Sequence, residues 1–336
     1  MKEGVHQPKS GFLAGVAVVG IGIAYFFFLS TSEFQEPGAT LEYNIEEFES
    51  LDKIPTNFAE ETAIAVDIPD PNALAVSKEN VYVSGENKIA IFGNDGALAK
   101  TLDVPGTPIC MAPAADGGLY VGMKDKVLVL DADGKQTAEW NEFTPRSYLT
   151  AIAVNGPDIY VADAGKRVVT RFDTNGKPQA KIGEKNLDQD VPGLEAPSPY
   201  LDLAINGEGH LWVVNPGKLG LERYEKDGTI VTSWYNPSVL KLEGFPGCCN
   251  PTHIAFTSKG ELVTAEKGLV RIKMYEVTAG EFDGLVAGAS LFPREQSVRD
   301  IAVDSRDRIL VLDPQRSAVR VFARKESEHG QATQPA

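Results

Sequence analysis

Three residues of the sequence could bind a metal ion, and they occupy the same position in three consecutive segments. Asp202, His253 and Asp300 each come directly before a short apolar run, and 51 and then 47 residues separate them. Imidazole and carboxylate groups that converge from neighbouring strands suit a divalent cation such as calcium or zinc. The alternative is structural, because the two aspartates could instead hydrogen-bond backbone amides and water. The pattern gives a possible metal site and indicates no other cofactor.

The segment that leads into His253 also contains two adjacent cysteines. It reads Phe-Pro-Gly-Cys-Cys-Asn-Pro-Thr over residues 245–252. Cysteines tend to pair in an oxidising compartment, so we predict a Cys248–Cys249 disulfide, which is strained because adjacent Cα atoms lie only about 3.8 Å apart. Two alternatives stay open: a metal site that combines one of these thiolates with His253, and two reduced thiols packed as small apolar side chains. Cys110 is expected to be a buried thiol.

A second set of polar residues follows the second apolar run of each segment. Glu266 and Lys267 belong to the same segment as His253, and Asn215 has the matching position one segment earlier. An acidic side chain there usually holds a turn by accepting backbone N–H groups. Lys267 belongs to a local positive cluster that could face a carboxylate or phosphate ligand, or balance neighbouring acids. The predicted ligand-binding set is Cys248, Cys249, Asn250, His253, Glu266, Lys267 and Asn215.

These residues belong to a sequence unit that recurs six times along the chain, and they lie in several of its copies. Each unit has three short apolar strands, and in four units a turn built on Asp-Gly or Asn-Gly follows, which is a strong hairpin signal. The first strands begin 37 to 51 residues apart, and this spacing fits four short strands per unit. We therefore predict an all-β fold, a six-bladed β-propeller of four-stranded blades. The first strand of each blade would line a central channel, and the position before it would lie at one mouth.

One unit shows the repeat most clearly. Residues 152–176 read Ile-Ala-Val, then Ile-Tyr-Val-Ala-Asp, then Arg-Val-x-x-Phe-x-x-x-Gly. This pattern resembles the NHL repeat, and the resemblance covers residues 60–323. It implies a scaffold like that of the SMP-30/gluconolactonase group, TolB-like proteins and peptide-amidating lyases. The metal-dependent members hold their ligands at the channel mouth, and the amidating lyases use several histidines, whereas here only His253 has that position. The Cys-Cys-Asn-Pro motif resembles one found in a membrane-anchored bacterial subgroup of NHL-like proteins.

The two ends of the repeat array complement each other. The sixth unit lacks its outer strand, while residues 62–66, Thr-Ala-Ile-Ala-Val, form an apolar strand before the first unit. We predict that this strand completes the sixth blade and closes the ring. The propeller then covers residues 61–323, and a disordered polar tail follows at 324–336.

An uncharged apolar segment precedes the propeller. Gly11 to Leu29 comprises nineteen residues, enough to span about 30 Å of hydrocarbon as a helix. Lysines precede it and glutamates follow it, which places residues 1–10 in the cytoplasm. We predict a transmembrane signal-anchor helix at 11–30, a stalk at 31–60, and a single-pass membrane protein whose propeller faces the periplasm or the extracellular space. A signal peptide cleaved near residues 30–32 is the alternative.

Composition and missing motifs narrow the function. A net charge of -15 with no extended basic cluster argues against a nucleic-acid partner. The sequence has no nucleophile elbow, phosphate-binding loop, His-Glu-x-x-His motif or Cys-x-x-Cys pair. Two functions remain, and the incomplete ligand set favours the first. One is a membrane-tethered binding or scaffolding module for a peptide, glycan or protein partner at the channel mouth. The other is a metal-dependent hydrolase or lyase of the gluconolactonase or amidating-lyase type that uses Asp202, His253 and Asp300.

Overall fold

Short apolar runs separated by glycine-containing turns give an antiparallel sheet for every repeat. The computed structural model describes residues 56–187, 191–239, 241–277, 280–292 and 298–325. Within them, twenty-four strands form six four-stranded sheets, and each sheet is one blade of a propeller. The predicted all-β fold with six blades of four strands is confirmed.

Blades 1 to 3 each use four strands that are consecutive in the chain. Blade 1 contains β2 (Ala73–Val76), β3 (Asn80–Gly85), β4 (Lys88–Gly93) and β5 (Leu98–Asp103). Blade 2 contains β6 (Cys110–Pro113), β7 (Leu119–Gly122), β8 (Val127–Leu130) and β9 (Gln136–Trp140). Blade 3 contains β10 (Leu149–Asn155), β11 (Asp158–Asp163), β12 (Val168–Phe172) and β13 (Pro178–Ile182).

Blades 4 and 5 follow the same order, and blade 6 takes its outer strand from the other end of the propeller. Blade 4 contains β14 (Leu203–Ile205), β15 (Leu211–Asn215), β16 (Gly220–Tyr224) and β17 (Ile230–Tyr235). Blade 5 contains β18 (His253–Phe256), β19 (Leu262–Ala265), β20 (Ile272–Glu276) and β21 (Glu281–Ala287). Blade 6 contains β22 (Asp300–Val303), β23 (Ile309–Asp313), β24 (Ala318–Arg324) and β1 (Phe58–Ala65). Two short 3-10 helices cover Pro216–Lys218 and Ala289–Leu291.

The turns between the third and fourth strands require glycine. Gly96, Gly134, Gly176 and Gly228 have φ angles from +80° to +96°, a region that L side chains rarely adopt. The fourth strand carries one extra residue beside each of these turns, so the register shifts there. The Asp-Gly and Asn-Gly signals thus locate the turns, and a bulge follows each turn.

The apolar core lies between neighbouring blades. Each of the six blade–blade interfaces buries its own cluster of apolar side chains. At the interface of blades 2 and 3, for example, the Trp140 ring packs 5.4 Å from Phe172 and 5.3 Å from Tyr120. Stability therefore depends on every blade keeping both neighbours, which requires a closed ring.

Strand β1 closes the ring as predicted. It pairs antiparallel with β24, with Phe58 opposite Arg324 and Ala65 opposite Ala318. The Arg320 guanidinium, which is 1% exposed, reinforces this pairing with a 2.6 Å ion pair to Glu60. Because β1 begins at Phe58, the last residues of the predicted stalk belong to blade 6.

Most of the predicted membrane anchor, stalk and tail lies outside the described residues. The helix at 11–30 and the tail from residue 326 onward are both there. Within the described ranges, no helix is long and apolar enough to cross a bilayer. The anchor and the orientation of the propeller stay predictions.

Candidate functional site at the channel mouth

The first strands of the six blades pack around a central channel, whose mouth lies at their N-terminal ends. A cavity of about 120 Å³ opens there, and every blade contributes at least one lining residue. The lining residues are Asn72, Ile109, Tyr148, Thr150, Pro199, Tyr200, His253, Val298 and Arg299. Concave sites with a few convergent polar groups are where such scaffolds hold ligands.

The residue directly before the apolar run of each first strand is apolar or thiol-bearing in blades 1 to 3 and ionisable in blades 4 to 6. It begins or directly precedes the strand in every blade except blade 3, where it is the third residue of β10. In blade order, the six residues are Ala73, Cys110, Ala151, Asp202, His253 and Asp300. The His253 Nδ1 atom lies 3.8 Å from Asp202 Oδ2 and 3.7 Å from Asp300 Oδ1. The three side chains are only 14% to 22% exposed. The structure thus brings together the three predicted metal ligands.

Both aspartates also fasten neighbouring blades to each other. The Asp202 carboxylate accepts hydrogen bonds from the backbone N–H of Leu203 in its own blade and of Ile254 in blade 5, each at 2.8 Å. The Asp300 carboxylate likewise accepts from Ile301 in blade 6 and from Leu74 in blade 1 at 2.8 Å. This is the structural alternative that the sequence left open, and it satisfies four backbone donors near the channel.

The residues at the channel do not fit a calcium or zinc ion well. Among the described residues, no group of three or more histidine, cysteine, aspartate or glutamate side chains is arranged to hold a metal. The aspartate oxygens that face His253, Oδ2 of Asp202 and Oδ1 of Asp300, already accept backbone N–H groups. The carboxylate oxygens predicted as metal ligands are therefore used mainly as acceptors of backbone hydrogen bonds.

Burial changes the proton affinity of all three groups. It raises the pKa of the Asp202 carboxyl to about 7 and lowers that of the His253 imidazole to about 4. Burial also raises the pKa of Asp300 well above its usual range, and the charge of Asp202 adds to this effect. The imidazole is therefore neutral at pH 7, whereas Asp202 is near its midpoint. Such a group can hold and exchange a proton at neutral pH.

Aromatic and cationic side chains surround this cluster at the rim. The Tyr200 ring meets His253 edge-on, with ring centroids 6.4 Å apart. The Lys267 ammonium lies 4.9 Å from the centroid of Tyr200, in cation–π geometry. Arg299 lines the cavity from blade 6 and is 3.4 Å from Asp70. Of the predicted ligand-binding set, His253 and Lys267 therefore flank the mouth.

The cysteine loop is held in place by Asn250. This buried side chain donates to the Pro246 carbonyl at 2.8 Å and accepts from the Lys267 N–H at 2.9 Å. The Asn250–Pro251 peptide bond is cis, and Cys249 has a φ angle of +65°. Asn250 thus joins the cysteine loop to the turn that carries Lys267, so its role is to position the rim.

The structure does not support the predicted vicinal disulfide. All three cysteines are free thiols, with Cys248 exposed and both Cys249 and Cys110 buried. The two adjacent side chains enter different environments, because Cys249 turns inward while Cys248 faces solvent. A metal site made of these thiolates with His253 also lacks support, since no metal-holding group occurs among the described residues. The Cys110 prediction of a buried thiol is confirmed.

Glu266 is buried inside blade 5 and does not reach the mouth. It forms a 2.5 Å ion pair with Lys273, and both side chains are fully buried. The Lys273 ammonium also donates to the carbonyls of Leu242 and Gly244 at 2.9 and 2.7 Å. Burial lowers the pKa of Lys273, while the charge of Glu266 opposes that effect. The pair stabilises the loop before β18.

Asn215 is buried inside blade 4 in an equivalent position. Its side chain accepts from the Glu195 N–H at 3.0 Å and donates to Glu222 at 2.9 Å. The hydroxyls of Tyr224 and Tyr235 also donate to Glu222. Burial raises the pKa of Tyr235 to about 12, and its hydrogen bond to Glu222 acts in the same direction. Asn215 is therefore part of a buried network.

Sequence reasoning missed the rim residues Tyr148, Tyr200 and Arg299. They precede the first strands of blades 3, 4 and 6 by one to three residues. They share no position of the repeat, since their distances from the apolar runs of the first strands differ, so the comparison of units that identified His253 does not reveal them. The aromatic pair of blades 3 and 4 is the signal, because Tyr148 and Tyr200 precede strands that are otherwise aliphatic.

Comparisons with known proteins agree on the fold. No family model matches the sequence, and no curated protein matches it. Among solved structures, a streptogramin B lyase superposes with a TM-score of 0.59 at 14% identity, over 80% of this chain and 98% of that one. Virginiamycin B lyase from Staphylococcus aureus gives 0.56 at 15% identity, over 79% and 99%. The WD40 propeller domain of Doa1 gives 0.55 at 9% identity, over 81% and 99%.

These likenesses show the propeller fold and nothing narrower. At such low identity they show a shared propeller fold, which hosts both lyases and scaffolding domains. Site chemistry has to be argued from the residues of this chain, because one fold carries many functions. The NHL assignment and the membrane-anchored subgroup stay predictions.

Proposed function

We propose that this protein is a binding module that holds a peptide, glycan or protein partner at the channel mouth. The supporting observation is the cavity to which all six blades contribute, flanked by the Tyr200 ring and the Lys267 ammonium. An aromatic face beside cationic donors suits a ligand that combines an apolar surface with acceptor oxygens. The ring closed by β1 keeps these groups in fixed positions, so little ordering is needed when the ligand binds.

The binding proposal is tested with the full-length chain on an array of oligosaccharides and short acidic and neutral peptides. We expect Tyr200→Ala and Lys267→Ala to reduce the signal of the array members that bind wild type at least tenfold. Lys259→Ala is the matched control, because Lys259 is exposed in the β18–β19 turn at the opposite end of blade 5. The proposal fails if wild type binds no member, or if the control loses as much signal as the rim variants.

A second candidate function is a lyase or hydrolase that works by proton transfer. The observation in its favour is the buried Asp202–His253–Asp300 group, whose members have displaced pKa values. Two proteins with similar structures are named as lyases of streptogramin or virginiamycin B. In this version Asp202 and His253 exchange a proton with a bound lactone or ester. The metal-dependent version is disfavoured because the carboxylate oxygens that face His253 already accept backbone N–H groups.

The enzyme candidate is tested by incubating the full-length chain with gluconolactone and with a streptogramin B, and following both by liquid chromatography. The candidate requires conversion that His253→Ala abolishes and that Lys259→Ala and a chelator leave unchanged. Conversion that the chelator abolishes would favour the metal-dependent version instead. No conversion of either compound, or equal conversion by His253→Ala, removes this candidate.

We also propose that residues 11–30 tether the propeller outside the cytoplasm. The support is the uncharged apolar segment with lysines before it and glutamates after it. Protease added to intact cells is expected to digest the propeller, and deletion of residues 1–30 is expected to release a soluble propeller. A protected propeller, or a deletion variant that aggregates, would contradict this arrangement.

A further inference from the structure

The outer strand of blade 4 differs from the outer strands of all the other blades. Five of the six outer strands carry at least one charged residue. These are Glu60 and Glu61 in β1, Lys100 and Asp103 in β5, Glu139 in β9, Lys181 in β13, and Glu281 and Asp283 in β21. Strand β17, which reads Ile-Val-Thr-Ser-Trp-Tyr, carries none. Charges on edge strands normally prevent edge-to-edge pairing between chains.

The uncharged edge is also the most apolar exposed region of the described chain. Among the described residues, eight large apolar or aromatic side chains are exposed, and four of them lie between residues 230 and 239. Three are on β17 itself: Ile230, Val231 and Tyr235, at 37%, 40% and 37% exposure. On its inner side β17 pairs with β16, and no described strand pairs with its outer side. Within the described part of the chain, its outward backbone groups therefore have no strand partner.

The residues of β17 are complementary to β17 itself. In an antiparallel pair with its two-fold axis at Thr232, that threonine faces its own copy. On each side of it, Ser233 and Trp234 of one copy meet the bulged residues Val231 and Ile230 of the other. Aromatic–β-branched and Thr–Thr pairs are among the favourable cross-strand pairs. No like charges meet, although the whole chain carries -15 and repels a second copy elsewhere.

We infer that β17 is a homodimerisation edge, where it pairs antiparallel with β17 of a second copy to join two blades into one eight-stranded sheet. Such isologous contacts are the commonest way for identical chains to associate. The contact lies at the outer edge of blade 4, so the channel mouth of each copy stays accessible. The dimer is thus independent of what binds there.

The first test changes the charge at the two-fold axis. Two differently tagged full-length copies are co-expressed, purified in detergent, and the fraction that co-purifies is measured. Because Thr232 is exposed and faces its own copy, Thr232→Lys in both copies is expected to reduce co-purification at least tenfold, and Thr232→Glu in both likewise. A Thr232→Lys copy with a Thr232→Glu copy is expected to restore it, because the opposed charges then attract.

Ala138→Lys provides the matched control. Ala138 is exposed on β9 and faces the penultimate residue of the third strand of blade 2, as Thr232 does in blade 4. It is expected to leave co-purification unchanged. Circular dichroism of each variant verifies that the propeller still folds. Equal co-purification of wild type and the two like-charge pairs, or loss that the opposite-charge pair does not restore, overturns the inference. Loss in the control also overturns it.

A second measurement covers the case in which charge variants fold poorly. Directly opposed residues in an antiparallel pair have Cα atoms about 4.5–5.5 Å apart, which a disulfide can bridge. Thr232→Cys is therefore expected to give a covalent dimer under mild oxidation, and Ala138→Cys is expected to give none. A monomeric Thr232→Cys variant would mean that this edge is free or is covered by another segment, and would overturn the inference.

Discussion

Blades 1 to 3 and blades 4 to 6 are all four-stranded antiparallel sheets, but they differ in polarity at two equivalent positions. At the channel, the first half has alanine or cysteine where the second half has Asp202, His253 and Asp300. In the middle of the third strand, the residues of blades 1 to 6 are Ala90, Leu128, Thr170, Glu222, Lys273 and Arg320. The three buried charges thus belong to blades 4 to 6. The first half, which is neutral at these two positions, shows that a blade can form without a charged residue there.

Buried charges are costly unless they are paired, and the second half pairs each of them. Lys273 meets Glu266, Arg320 meets Glu60 and Asp313, and Glu222 accepts from two tyrosines and Asn215. Apolar substitutes of similar volume can be as stable as a buried ion pair. In blades 4 to 6 the paired charges therefore serve to hold loops and the rim in fixed positions. The equivalent residues of blades 1 to 3 provide control positions for substitutions of these charges.

The largest effect is expected from breaking the buried pair of blade 5. Lys273→Met removes the ammonium that pairs with Glu266 at 2.5 Å and donates to the buried carbonyls of Leu242 and Gly244, and it should lower the free energy of unfolding by about 3–5 kcal/mol. Leu128→Met, at the same position of blade 2, should cost less than about 1.5 kcal/mol. Urea titration followed by tryptophan fluorescence measures both.

A double variant separates charge from packing at this position. Glu266→Gln with Lys273→Met removes both charges, so it is expected to be more stable than Lys273→Met alone. A double variant that is less stable than the single one would show that the ion pair is not the reason for the loss.

The blade-fastening aspartates should give the next largest effect. Asp300→Ala leaves the N–H groups of Leu74 and Ile301 without their acceptor and should cost about 1–3 kcal/mol. Asp300→Asn keeps one acceptor oxygen and should cost less. Thermal unfolding provides the comparison, and equal melting temperatures for wild type and Asp300→Ala would show that blades 6 and 1 do not depend on this contact.

The pH dependence of stability should have opposite signs for the two kinds of group at the channel. Burial raises the pKa of Asp202 to about 7, so the folded state keeps this proton to a higher pH than the unfolded state does. The contribution of Asp202 to the free energy of unfolding therefore falls as pH rises from about 4 to 7. Burial lowers the pKa of His253 to about 4, so the imidazole contribution rises over about pH 4 to 6.5. In wild type the two contributions offset each other.

Variants at these positions should reveal each slope. For each variant we compare the free energy of unfolding with that of wild type at the same pH. As pH rises from 4 to 7, this difference should become more unfavourable for His253→Ala. For the double variant Asp202→Asn with Asp300→Asn, it should become more favourable. We expect each difference to be about 1–2 kcal/mol over this range, because one pKa unit corresponds to about 1.4 kcal/mol and the groups are partly solvated. Parallel profiles for wild type and both variants would contradict these assignments.

The smallest effect is expected at the exposed cysteine. Cys248→Ala should change the free energy of unfolding by less than about 0.5 kcal/mol, because Cys248 lies at the surface. A thiol reagent should modify Cys248 in the folded protein, and Cys110 and Cys249 only after unfolding. Intact-mass analysis without reductant gives the labelling order. Absence of labelling at Cys248 would revive the predicted disulfide.

The sequence was sufficient for the propeller because the relevant signals are local and repeated. Alternating apolar runs, Asp-Gly or Asn-Gly turns and the spacing of the units identify the blades. The missing sixth outer strand identifies the closure by the strand predicted at residues 62–66, which covers Phe58–Ala65 in the structure. The convergence of Asp202, His253 and Asp300 followed from the same alignment of units. These features depend on chain position and period, which the sequence displays directly.

The parts that were not predicted depend on side-chain direction. Glu266 and Asn215 turn into the blades because their partners Lys273 and Glu222 are buried opposite the second strand, and this requires the strand register. The Cys248–Cys249 prediction failed to anticipate the positive φ at Cys249, which sends the two thiols into different environments. Tyr200 was missed because irregular loops carry no period.

The pairing of β1 with β24 has a consequence for the time course of synthesis. A ribosome produces Phe58 well before Arg324, yet these residues face each other in one sheet. Blade 6 therefore cannot form until β24 has been translated, by which time the strands of blades 1 to 5 have all been synthesised. During that interval β1 has no β24 to pair with, and the ring of blades is still open.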